Sequence, residues 1–438
     1  MSHTPFRIGY FSRFGPTAWS AADDRLHGDG WWTGDRHIAL AQRLERAHVD
    51  FLFFDDTAAV SRAINDTLEW DLKLAVGSPR HDALALIPLL AKATEGLGFI
   101  ATASTSFYPP YILSRTLSTV DSLTGGRAGW NVVTSGDDSA AQNHNYDVLP
   151  DHATRYEMAD EFVEVAKALW GSFGEGALAR DVTNNMYMDP AEIREIDHRG
   201  KHFTVRGPLN TVPSPQGTPV LFQAGASERG RDFAARHADC IFAPGFGIDY
   251  MKQMRRELRD RAAAHGRNPD EVKVFFGPPI QFTDGTPRPP ATRAQVEYAL
   301  LMISQAFNHD LTQYPLDQPF PLDIESRGST ALLEPLRETA RAGKSLRQGV
   351  VDVWYRDDEN ALSGTPEQVA EEMMHIMDEV GGDGFLIGAI DFANQAFEDA
   401  VIDGVLPYLR AAGATRSAYK PAQTFRQALH DPDWTSSD

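Results

Sequence analysis

Short apolar runs separated by amphipathic stretches recur along the whole chain. Eight of them, at Arg7–Phe11, Phe51–Asp55, Gly98–Ala103, Ala128–Val133, Val220–Gln223, Cys240–Ala243, Val272–Phe276 and Phe385–Gly388, have the length and composition of buried strands. Most are separated by stretches with helical spacing; in His37–His48, Ile38, Leu40, Ala41 and Leu44 face the core. Eight strand-helix units predict an α/β fold closed into a (β/α)8 TIM barrel. An open doubly wound sheet would need a glycine-rich nucleotide turn after its first strand, and Gly9-Tyr10-Phe11-Ser12-Arg13-Phe14 does not supply one.

Three stretches are too long for ordinary connections and read as insertions: about 12–34, 172–214 and 283–363. The 438 residues are therefore assigned to one elaborated barrel domain, 1–411, and a C-terminal arm, 412–438. Insertions that follow barrel strands close over the active face, which makes the third the lid candidate. The arm reads either as an extension onto a neighbouring subunit or as a frayed terminus.

Composition narrows the partners. Hydrophobic residues make up 42% of the chain, enough for a large core, yet the longest apolar runs are strand-length, so no membrane span is expected. Met1-Ser2-His3-Thr4-Pro5 leads into a strand without a basic region and apolar signal core, which points to a cytoplasmic protein. A net charge of −20 opposes binding to nucleic acid and to anionic membranes. The one cysteine, Cys240, sits in an apolar run and reads as a buried strand residue.

The chemistry concentrates at strand ends. Gly126-Arg127-Ala128-Gly129-Trp130-Asn131-Val132-Val133-Thr134-Ser135 is a strand that delivers Asn131, Thr134 and Ser135 from its carboxyl end, where ligands bind in parallel α/β proteins. The preceding strand ends in Ser104-Thr105, and a helical stretch, Tyr111–Ser122, links the two. In Gln223-Ala224-Gly225-Ala226-Ser227-Glu228-Arg229-Gly230 a strand ends, small residues turn, and a helix begins near Ser227. This suits an anion such as a phosphate, or an ordinary N-cap. Asp56 is a helix cap, a rim ion pair or a ligand contact, and Asp55 points the other way if the pleat persists. His198 and His202 have zinc-like spacing, but Gly200 between them argues against a helix, and no metal is assigned. Gly343-Lys344-Ser345 lacks the upstream glycine and strand of a phosphate loop and reads as a surface turn. Trp19, Trp31, Trp32, Phe246 and Phe276 are either packing residues or a substrate cage.

Seven blocks in order, Asp50–Thr57, Leu97–Thr105, Leu117–Ser135, Arg155–Trp170, Asp197–Phe203, Pro213–Asp239 and Gly364–Phe385, carry a wider likeness. The chain resembles the flavin-dependent monooxygenases of the bacterial luciferase-like superfamily. Within it, the likeness is to the branch of the long-chain alkane, dibenzothiophene-sulfone and nitrilotriacetate monooxygenases. The resemblance implies reduced FMN delivered by a separate NAD(P)H:flavin reductase, O2 as co-substrate, and a homodimer or homotetramer. It implies a phosphate site at Ser227, the Ala226 N–H, Ser135 and Tyr156, with His152 and Thr134 nearby. Asp56 would approach the ring, and Thr105 and Asn131 would lie near its N5 and oxygen-reacting face. The implied substrate is a medium-sized aromatic or heterocyclic molecule. A deazaflavin-dependent oxidoreductase of the same fold and a non-catalytic flavin-binding protein are the alternatives. Pro109 and Gly136 stand where relatives carry histidines. Both departures count against alkane hydroxylation and leave the substrate open.

Overall fold

Alternation along the strands sorts their side chains into two layers. Phe51, Phe53, Ile100, Val220, Phe222, Cys240, Phe275 and Leu386 pack together in the lumen of a barrel. Their neighbours Leu52, Phe54, Phe99, Ala101, Leu221, Ile241, Val274 and Phe385 join the layer between barrel and helices. The computed structural model describes residues 3–16, 30–62, 66–75, 77–136, 138–225, 227–283, 291–307, 309–324, 332–355, 361–388 and 395–435.

The barrel strands are β1 (Arg7–Arg13), β2 (Phe51–Asp55), β3 (Gly98–Ser104), β4 (Ala128–Val133), β7 (Val220–Ala224), β8 (Cys240–Pro244), β9 (Lys273–Gly277) and β12 (Gly384–Ile387). They are the eight apolar runs read from the sequence, paired in chain order, and β12 closes on β1 in parallel through Arg7↔Gly384. The lumen is filled by setting large residues against small ones. A Cβ added at Gly9 would lie 2.3 Å from the Phe51 ring, so glycine there is the condition for Phe51 pointing inward.

The helices follow the same reading with shifted ends: Asp35–Arg46 and Pro110–Thr124 cover the first two predicted helices, and Ser227 caps Glu228–His237. Between Ser172 and Ser214 the chain climbs back along the helix His152–Trp170 as the two-stranded hairpin of β5 (His198–Arg199) and β6 (Thr204–Val205). One carboxylate, Glu161, accepts from His198 Nε2 and from the backbone N–H groups of His202 and Phe203 at 2.8–2.9 Å and fixes that hairpin. These histidines therefore anchor a loop.

The third insertion leaves and rejoins the barrel at one place, because β10 (Ile280–Phe282) pairs in parallel with β11 (Leu362–Gly364). Its described helices, Arg293–Phe307, Leu333–Arg341 and Leu346–Trp354, pack a separate core around Phe307, Leu336 and Val350. Ser345 caps the last of them with Gln348 in a capping box, so the Gly343-Lys344-Ser345 turn is a helix start. Most of the first insertion, residues 17–29 with Trp19, lies outside the described residues.

The described part of the C-terminal arm lies on its own barrel. It neither frays nor reaches outward over its described part; the helix Phe425–His430 plugs the amino-terminal mouth of its own barrel. Phe425 is 4% exposed and sits where Cβ atoms at Gly98 would clash at 2.7 Å. Arg426 forks onto Asp239 at 2.8 and 2.7 Å.

Candidate active site

The carboxyl ends of β2, β3, β4, β7 and β8 surround a cavity of about 410 Å³. Phe11 and Phe53, stacked at 5.1 Å and 25°, form one apolar side, and Phe242 and Val133 extend it. Asp56, Thr102, Ser104, Asn131 and Ser135 put polar atoms on the same space. An apolar slot with a few convergent polar groups fits a flat heteroaromatic ligand.

The orientation of Asn131 follows from its neighbours. The Thr102 hydroxyl donates to the Phe54 carbonyl at 2.8 Å, so towards Asn131 it can only accept, and it accepts from Nδ2 at 2.9 Å. The amide is thereby held with Oδ1 turned away from Thr102. That oxygen is buried and meets no donor among the described residues, in a residue 4% exposed. Gln223 Oε1, at the end of β7, is a second buried oxygen with no donor among the described residues. Orphaned acceptors of this kind need a ligand N–H or water, since burying them unpaired costs roughly 1–3 kcal/mol each.

The hydroxyl groups of the rim are interlocked. Ser135, at φ 54°, donates to Ser104 Oγ at 2.8 Å. Thr105 donates to the Val133 carbonyl at 3.2 Å, and Ser106 to the Thr134 carbonyl at 2.7 Å. Thr105 thus braces the two strand ends, is 1% exposed, and faces a neighbouring outer cleft of about 840 Å³ instead of the barrel cavity.

The two adjacent carboxylates do not point to opposite faces: the strand ends at Asp55, both line the cavity, and they differ in their partners. Asp55 pairs with Arg13 at 2.7 Å and with Arg80 at 3.3 Å. Among the described residues Asp56 has no such partner within ion-pair distance, and burial pushes its carboxyl up to about 7 against the opposing pull of Arg80. It is therefore a group that exchanges a proton near neutrality inside the cavity.

A second cluster forms at the helix Glu228–His237. Ser227 Oγ accepts from the Gly230 N–H at 3.0 Å. A Cβ built on Gly230 would lie 2.8 Å from the Tyr156 hydroxyl and 3.0 Å from Ser227 Oγ, so glycine leaves both oxygens in one cradle at the helix start. Tyr156 is held by Phe233 and by the exposed His152, whose ring lies 4.8 Å from it. Ala226 lies outside the described residues. The structure thus groups Asp56, Asn131 and Ser135 in one cavity and Tyr156 with Ser227 in one cradle. Thr105, Thr134 and His152 stand beside these groups.

Thr102, Gln223 and His144 were not singled out from the sequence, and Ser104 was read only as a strand-end hydroxyl. Thr102 and Ser104 had a usable signal, because they share the lumen face of β3 with Ile100 at a spacing of two. Of the aromatics read as packing residues or a cage, Trp31 and Phe276 are core residues, Trp32 and Phe246 are about half exposed, and Trp19 lies outside the described residues. Gly136 lines the cavity, and a Cβ there would meet nothing within 4 Å, so this departure leaves open room.

Comparison with known proteins gives this geometry a context. The family model described as luciferase-like monooxygenase matches residues 6–384. The chain is 35% identical to the long-chain alkane monooxygenase of Geobacillus thermodenitrificans, over 91% of this chain and 86% of that one. It is 32% identical to nitrilotriacetate monooxygenase component A of Aminobacter aminovorans, over 90% and 89%. The crystal structure of riboflavin lyase with modified FMN and substrate riboflavin superposes with a TM-score of 0.77 at 30% identity, over 97% of this chain and 95% of that one. With an alkane monooxygenase among the relatives, Pro109 and Gly136 do not remove alkanes from consideration.

Proposed function

The chain belongs to the luciferase-like monooxygenase family, and from that premise we propose that it is an FMNH2-dependent, two-component monooxygenase acting on a medium-sized organic substrate. The observation that carries the cofactor reading is the Asn131 oxygen, buried, oriented by Thr102 and lacking a donor among the described residues in a slot of ring-binding size. Reduced FMN supplies, when bound, the electrons with which O2 is activated. Asn131 Oδ1 accepts an N–H of the ring, Asp56 holds or releases a proton at its edge, and the phenylalanine wall keeps water out. Ser227, Tyr156 and the helix start they flank hold the phosphate.

A separate reductase is supported by two observations. No glycine-rich dinucleotide turn follows β1, and the nitrilotriacetate relative is itself named as one component of a system. The deciding experiment is an anaerobic titration of the protein with FMNH2, followed by mixing with oxygenated buffer while the flavin spectrum is recorded. Tight binding and oxygen-dependent oxidation of a test substrate support the reading. Binding of a reduced deazaflavin in place of FMNH2 moves the chain to an oxidoreductase role, flavin binding without turnover makes it a carrier, and binding of neither flavin overturns it.

A further inference from the structure

The barrel cavity and the outer cleft share one wall. Phe107 and Tyr108, from the loop after β3, and His144, from the loop after β4, line both spaces. The Phe107 and His144 rings lie 4.4 Å apart and within 13° of parallel. On its edge the imidazole is tied by Nδ1, 2.8 Å from the Ala140 carbonyl. A carbonyl only accepts, so Nδ1 carries the hydrogen and the neutral ring keeps its lone pair on Nε2. No described side chain or backbone group makes a hydrogen bond with that Nε2. The loop is braced as well: the His144 N–H donates to the Ala141 carbonyl at 2.8 Å, and Asn143 Nδ2 to the Ala58 carbonyl at 3.0 Å. The acceptor is thus positioned before any ligand arrives.

The cleft on the far side of this wall holds about 840 Å³, with Tyr108, Tyr111 and Tyr146 on its surface. That is the volume of a site for a medium-sized organic molecule, and aromatic walls favour flat ligands. A molecule seated there touches the side chains that also bound the barrel cavity, so it reaches the mouth of the proposed flavin site.

We propose that this cleft is the substrate site, and that His144 Nε2 selects a planar substrate that carries a hydrogen-bond donor, N–H or O–H, beside its ring. The assignment rests on the monooxygenase reading of the barrel cavity. His144 is on this view a specificity-determining residue that contacts the substrate.

Two matched pairs of probes test it: indole against 1-methylindole, and 2-hydroxybiphenyl against 2-methoxybiphenyl. Each is titrated calorimetrically into the full-length protein, with FMNH2 under anaerobic conditions and again without flavin, and the FMNH2 affinity is measured alongside. The wild type is expected to prefer the donor-bearing member by about tenfold, the usual worth of one hydrogen bond to a waiting acceptor. His144→Phe keeps a ring against Phe107 and removes the acceptor; it should erase the preference, which is read as the affinity ratio within each probe pair so that a change in FMNH2 binding cancels. His144→Leu, read the same way, serves if phenylalanine disturbs the loop. No preference in the wild type, or a preference that survives both substitutions, overturns the proposal. Donor preference without FMNH2 binding overturns the cofactor reading and keeps the cleft assignment; FMNH2 binding without donor preference does the reverse.

Discussion

Replacing Thr102 by valine tests whether the direction of one amide matters. In the wild type, reversing Asn131 would set Oδ1 against a Thr102 oxygen whose hydrogen is already committed to the Phe54 carbonyl, an acceptor facing an acceptor. That misfit costs roughly 1–3 kcal/mol and keeps the reversed amide a minority. Thr102→Val preserves shape and removes the hydroxyl. Both Asn131 Nδ2 and the Phe54 carbonyl then lose a partner at a residue 7% exposed, for a stability loss of about 2–4 kcal/mol at the same rate per buried group. The bias on the amide goes with it, and a reversed Asn131 presents N–H to a ligand N–H. The expected loss of FMNH2 affinity is about 1–2 kcal/mol, or roughly 5- to 30-fold in Kd. The assay is an anaerobic fluorescence titration with FMNH2, with the thermal midpoint of the same sample and the yield of hydrogen peroxide per NADH in the reductase-coupled reaction. Thr102→Ser keeps the hydroxyl and should stay within about twofold of the wild type. Wild-type affinity and coupling in Thr102→Val, with the expected drop in stability, would refute the link between amide direction and flavin recognition.

Gly230→Ala sets two effects against each other. Helix propensity alone predicts a gain of up to ~1 kcal/mol, whereas the new Cβ presses on Tyr156 and Ser227 and should weaken FMNH2 binding at least about tenfold by displacing two anion contacts; unchanged affinity would remove the cradle from the phosphate site. Asp56→Asn concerns pH. Burial makes the folded protein hold a proton up to about 7 that the unfolded chain releases near the ordinary carboxylate value of 3.8, so Asp56 contributes most to stability at acid pH, and that contribution is lost as pH rises through about 7. Relative to the wild type, the asparagine variant should therefore gain stability across that window, by at most a few kcal/mol; parallel stability-pH curves would show that Asp56 is not buried as described. Phe425→Ala empties the barrel plug and should cost about 3–5 kcal/mol, read as a lower urea midpoint. A shift worth under about 1 kcal/mol would mean that the arm does not seal the lumen.

What the chain announces about itself depends on how local each signal is. The eight strands were legible because burial on both faces leaves continuous apolar runs, a property of each segment alone. Ser227 was legible as a helix start for the same reason, since an N-cap is written within four residues. Asn131 was legible as a residue type at a strand end, yet its function depends on a Thr102 hydroxyl committed to a third strand, and no local pattern encodes that. The contrast between Asp55 and Asp56 was not legible: the pleat would have sent them to opposite faces, but the strand ends at Asp55 and both line the cavity, and the arginines that claim Asp55 come from β1 and from the loop holding Arg80. The plug was missed although Thr424 and Gln427 spell a capping box, because a short polar tail with one phenylalanine has no visible core until Gly98 and Gly129 reserve the space. His144 had no signal at all, sitting in a polar loop and gaining its meaning from a ring contributed by a different loop. Sites on parallel barrels are assembled from successive strand ends, so their residue types can be read one segment at a time. Their directions are properties of the closed ring, and here those directions, of one amide, one carboxylate and one imidazole, are what the three variants at Thr102, Asp56 and His144 would measure.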